Sequence, residues 1–98
     1  MTTITAPSEE QVERIVKELA PDVVRIRFTP ERDWSDHPSV NFRVLLSDDA
    51  ARRDRLHVVT KKVRDRIEEL GLREAGVIPY VRFRSVSEQE QLKELWWA

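Results

Sequence analysis

Three short stretches of the chain alternate between apolar and polar residues. In Val23-Val24-Arg25-Ile26-Arg27-Phe28, arginines separate the apolar positions Val24, Ile26 and Phe28. Val40-Asn41-Phe42-Arg43-Val44-Leu45-Leu46 sets Val40, Phe42, Val44 and Leu46 against Asn41, Arg43 and Leu45. Tyr80-Val81-Arg82-Phe83-Arg84 repeats the pattern with Val81 and Phe83 on the apolar side. A period of two belongs to a strand with one buried face. The pattern predicts strands over about residues 22–29 and 40–47, and a third after Gly76. Pro79 cannot donate to a ladder, which places it at the start or free edge of that third strand.

Between the strands the period lengthens. Ser8-Glu9-Glu10-Gln11 has the form of a capping box, and Val12, Ile15, Val16 and Leu19 follow at helical spacing up to Pro21. Leu56, Val59, Val63, Ile67 and Leu70 form a second stripe, opened by Ser47-Asp48-Asp49 and closed by Gly71 at an expected left-handed C-cap. Ser87-Glu88-Gln89-Glu90 offers a further capping box, opening a short helix with Leu92, Leu95 and Trp96 turned inward. Pro30 to Ser39 read as the longest irregular connection. The expected fold is a two-layer α+β sandwich of order α-β-β-α-β-α, its helices on one face of a three-stranded sheet. Residues 1–7 read as a flexible leader and 8–98 as a single domain.

That architecture leaves the polar sheet face open. Arg25, Arg27, Arg43, Arg82 and Arg84 all fall on it, around Asn41 and Tyr80. Guanidinium groups keep their charge and offer planar, bidentate donors to carboxylates and phosphates, and Tyr80 adds a surface for stacking. The same side chains would also solubilise a bare sheet face, paired with Glu31 or Asp33. A slip of one residue in any strand would dismantle the patch.

Composition narrows the classes. With 17 basic and 18 acidic residues in 98, the net charge of −1 speaks against a general polyanion binder. The lack of cysteine excludes disulfides and thiolate chemistry and fits a reducing compartment, so a cytoplasmic location is expected. No apolar run is long enough to span a membrane. With two glycines, at 71 and 76, the chain has no phosphate-binding or dinucleotide-binding glycine loop, and it has no zinc-protease or serine-hydrolase motif. No cofactor is expected.

Two other constellations carry chemistry. Asp33, Asp36 and His37 could ligate a metal, but the set is short of oxygen ligands. Rigidification of a loop suits Asp33-Trp34-Ser35-Asp36-His37-Pro38 better, with Trp34 folded back over the core. The second helix is rich in arginine and lysine, yet Asp49–Arg53, Lys61–Asp65 and Arg64–Glu68 are spaced for internal pairing, and His57 lies off the apolar stripe. At the C-terminus Trp97 points about 100° away from Trp96 and is left over as a docking residue.

The α-β-β-α-β order resembles small RNA-binding domains of the KH type, although their G-x-x-G loop has no counterpart here. Asp33-Trp34-Ser35-Asp36-His37-Pro38, Phe42-Arg43-Val44-Leu45-Leu46-Ser47-Asp48 and Pro79-Tyr80-Val81-Arg82-Phe83-Arg84-Ser85 with Glu88-Gln89 are similar to a family of small uncharacterised bacterial proteins. Members are encoded beside HEPN-domain proteins, which implies a paired, antitoxin-like role exercised by binding. The expectation is a non-enzymatic protein that binds a protein partner, or itself as a homodimer, through the arginine face and Trp97. RNA binding by the same face is the alternative, and a metal-dependent enzyme a distant third.

Overall fold

A computed structural model of the chain describes residues 5–93. Its elements are α1 (Glu9–Glu18), β1 (Val23–Arg32), β2 (Pro38–Leu46), α2 (Leu56–Glu68), a single 3-10 turn (Arg73–Ala75), β3 (Ile78–Ser85) and α3 (Val86–Leu92). The order is the expected α-β-β-α-β-α, and the fold is a small α+β one.

β2 is the central strand, antiparallel to β1 and parallel to β3. A five-residue connection suffices for the antiparallel pair, whereas the parallel pair needs the crossover that α2 supplies. β2 is correspondingly the most buried strand, with Val40, Phe42 and Val44 fully buried. Val12 and Ile15 of α1 and Val59, Val63 and Ile67 of α2 close over them, joined by Val23, Ile26, Leu46, Ala50, Leu72 and Val77. The Phe28 and Phe42 rings meet at a centroid distance of 6.2 Å, tilted by 38°. Gly71 has φ +75°, the left-handed conformation expected after the α2 stripe. Pro79 is the second residue of the edge strand β3.

Several expectations are corrected. The β1–β2 register jumps between Val23 and Arg25, so Val23 and not Val24 enters the core; Val24, in the bulge, is 47% exposed. The strands reach Arg32 and start again at Pro38, which shortens the irregular connection to residues 33–37. Trp34 does not fold over the core but is 94% exposed at the hairpin tip. α2 starts at Leu56, because residues 49–55 form turns. There Asp49 pairs with Arg52 and Arg55, and Asp22 with Arg55, instead of the helical Asp49–Arg53 pair. Lys61–Asp65 is present at 2.8 Å, but Glu68 pairs with Arg73, and Arg64 lies 5.1 Å from the centre of the Phe83 ring.

The capping box of α3 is Ser85 with Glu88, two residues earlier than read from the sequence. Ser87 instead gives both its N–H (3.0 Å) and its hydroxyl (2.6 Å) to Asp48, which these bonds hold below the usual carboxylate range. Leu92 is 52% exposed, so α1 and α2, and not α3, supply the buried helical side chains. Leu95, Trp96 and Trp97 lie outside the described residues.

Candidate functional site

The registers of the two strand pairs assemble the arginine face row by row. Arg27 stands opposite Arg43, and Arg43 opposite Arg82, giving one row of three guanidinium groups. On one side of it Arg25, Leu45 and Arg84 form the next row; on the other side lie Thr29, Asn41 and Tyr80. All five arginines therefore share the face anticipated from their alternation, despite the bulge, because the inserted residue is Val24 and lies before Arg25.

Like charges directly opposite one another in a sheet repel. Burial, and then the neighbouring charge of Arg27, lower the pKa of Arg43, the middle member of its row, against the opposing charge of Glu31. Arg84 donates to Gln89 of α3 at 3.2 Å. Among the described residues Arg25, Arg27 and Arg82 make no ion pair. Two acidic residues bond polar side chains of the face itself: Glu31 accepts from Asn41 Nδ2 at 3.3 Å, and Asp33 accepts the Tyr80 hydroxyl at 2.8 Å. Glu31 also acts on the face through its charge, which favours the protonated Arg43.

Asp33 organises the hairpin tip. Its Oδ1 accepts the N–H groups of Ser35 (2.9 Å) and His37 (3.0 Å), while its Oδ2 holds Tyr80. The His37 N–H, the Tyr80 hydroxyl and the Ser35 N–H hold this carboxylate below its ordinary range, and the same bond raises the Tyr80 phenol. Asp36 takes a left-handed conformation (φ +61°) and accepts Arg32 Nη1 at its carbonyl, 3.0 Å. With Asp33 spent on three donors, the trio Asp33, Asp36 and His37 forms a braced turn. Among the described residues no group of three or more histidine, aspartate or glutamate side chains is arranged to hold a metal.

The braced turn presents Trp34 beside the face. Trp34, Tyr80, Arg82 and Asn41 line a groove of about 360 Å³ together with Glu31 and Arg32. Sequence reasoning missed Trp34 as a surface residue. The available signal was its position between Asp33 and Ser35, two turn-forming residues, midway between Pro30 and Pro38. A second groove, of about 400 Å³, runs along the β1 side, where Glu9 and Glu13 of α1 approach Arg25, Arg27 and Arg43. His57 is exposed on α2, as its position off the stripe implied.

Comparison with family models, with curated proteins and with solved structures returns no match. Among the described residues no helix is long and apolar enough to cross a membrane.

Proposed function

We propose that this chain is a non-enzymatic binding protein whose arginine face docks an acidic surface of a protein partner. The observation that carries the reading is the row Arg27–Arg43–Arg82, three guanidinium groups side by side, with no ion pair to Arg27 or Arg82 among the described residues. Such crowding costs stability, and a carboxylate-bearing partner would offset it. Trp34, carried on the turn that Asp33 closes and 94% exposed, is the second anchor, since tryptophan and arginine dominate binding hot spots. An accessory or antitoxin-like role, in which binding is the whole activity, is the biological form proposed for it.

Protein is favoured over RNA by what surrounds the aromatic end of the face. Tyr80 carries the ionised Asp33 on its hydroxyl, and Glu31 stands on the neighbouring Asn41. A phosphate backbone tracking from the arginines to a base stacked on Tyr80 would meet both carboxylates.

The test is a titration of a fluorescent mixed-sequence single-stranded RNA across a salt series. The protein-partner reading expects no measurable complex at physiological salt. Tight binding that falls steeply with added salt and is lost in Arg82→Glu/Arg84→Glu would establish the RNA reading instead. Once a partner is in hand, Trp34→Ala should cost about 2 kcal/mol or more of affinity. The same change should leave folding stability within about 0.5 kcal/mol, because the side chain packs on nothing in the core.

A further inference from the structure

The outer edge of β3 completes this picture. Among the described residues no strand pairs with it. The direction of its backbone groups follows from the ladder. Ser47 N–H bonds Asp22 on the β1 side, so by alternation Val40, Phe42, Val44 and Leu46 turn their N–H and C=O groups toward β3. In a parallel pair these engage Ile78, Tyr80, Arg82 and Arg84. The groups of Pro79, Val81, Phe83 and Ser85 then point away from the sheet. Two residues confirm the parity: Pro79 has no N–H to lose there, and the Ser85 N–H is taken by Glu88 Oε1 at 3.2 Å. Val81 and Phe83 are left with outward N–H and C=O groups and, among the described residues, no partner for them.

The side chains along this edge specify what would fit. On the arginine face stand Tyr80, Arg82 and Arg84; on the core face Val81 and Phe83 are only half-buried. The opposite edge is blunted. β1 carries the bulge at Val24 at one end and Pro30 inside its other half, two devices that discourage strand addition. A second copy of this chain is a poor occupant, since pairing β3 with β3 about a two-fold axis at Arg82 would set Arg82 directly against its own counterpart, with the Arg84 side chains of both copies close by.

Building on the function proposed above, we infer that the partner adds an extended segment to β3 as a fourth strand. Acidic residues at alternate positions would lie beside Arg82 and Arg84, and apolar residues between them would pack on Val81 and Phe83. Backbone bonds at Val81 and Phe83 supply the pairing, and the two side-chain rows supply selectivity. The groove holding Trp34 lies at the Tyr80 end of this strand and would receive the residue at that end of the segment.

The experiment uses the full chain and an acetylated, amidated hexapeptide of alternating glutamate and valine, followed by amide NMR and hydrogen exchange. Expected are saturable shifts with new protection at the Val81 and Phe83 amides. Affinity should fall about tenfold or more when the peptide's alternate amide nitrogens are methylated on the pairing edge. A block peptide of three glutamates followed by three valines should bind correspondingly worse. Binding that ignores methylation and protects neither amide would overturn strand addition while leaving the arginine face as the docking surface. No binding of the alternating peptide would overturn strand addition alone, because docking of an acidic surface by Arg27 and Arg43 is tested separately with the partner. Protection of Val81 and Phe83 in peptide-free protein, rising with protein concentration, would overturn it in favour of self-pairing.

Discussion

Replacing Arg27 by glutamate reverses one end of the Arg27–Arg43–Arg82 row. Arg27 is exposed, lies directly across from Arg43, and makes no ion pair among the described residues, so little packing is lost. Two unit charges about 6 Å apart in a water-like dielectric interact by roughly 0.7 kcal/mol. Turning repulsion into attraction doubles that to roughly 1.4 kcal/mol, and screening at physiological salt leaves roughly half. Glu9 and Glu13 across the β1 groove and Glu31 beside Arg43 oppose the change, but none of them forms an ion pair with Arg27 among the described residues. The expected outcome is a protein about 0.5–1 kcal/mol more stable, or about 3–6 °C higher in Tm for a domain of this size, with these carboxylates keeping the gain at the lower end of the range. Arg27→Gln should give about half the gain. Thermal unfolding followed by circular dichroism at low and at 0.5 M salt reads both the size and its electrostatic origin, since the gain must shrink with salt. A lower Tm in Arg27→Glu, or a gain indifferent to salt, would refute the claim that the row is held against repulsion. A stabilised variant that no longer binds the partner is the signature of stability given up for function.

Phe42→Ala empties a fully buried site in the central strand and should cost about 3–5 kcal/mol, seen as a lower urea midpoint at unchanged slope. Ser85→Ala removes the hydroxyl that caps α3 through Glu88 N–H and should cost about 1 kcal/mol by the same measurement. Asp33→Asn should destabilise the chain at neutral pH. Because folding depresses the Asp33 pKa below its ordinary 3.8, its contribution is present above that value and lost as pH falls through the lower folded-state value. The stability gap between wild type and Asp33→Asn should therefore close in acid, and a gap that stays constant from pH 7 to pH 2 would refute the bonding described for the hairpin tip.

The sheet was legible because its signal is redundant. Three independent alternations agree with the observed faces except at Val24, and the bulge there does not move the arginines. Strand order was not legible: alternation identifies faces but is silent on neighbours, and only the crossover through α2 makes β2 central. The helix starts were misread where polar residues compete. Ser47, Asp48 and Asp49 look like one cap, yet Ser47 Oγ caps only the turn at Ala50, Asp48 reaches across to Ser87, and Asp49 is held by two arginines. Likewise Ser85 and Ser87 both precede acidic residues by three, and the end of β3 at Ser85 decides between them. The exposure of Trp34 was not legible because bulky apolar residues are ordinarily assigned to cores, while Asp33, which closes the turn through Ser35 and His37, is also tied to Tyr80, 47 residues away in sequence.

The most direct test of the central claim is affinity capture of the tagged full chain from its native cells, with protein and RNA quantified before and after nuclease. It should be run beside Arg27→Glu/Arg82→Glu and Trp34→Ala. The account predicts one stoichiometric protein that survives nuclease, is retained by wild type and is lost from both variants. Retention of that protein by both variants would contradict the account, as would an eluate whose only enriched component is RNA released by Arg27→Glu/Arg82→Glu.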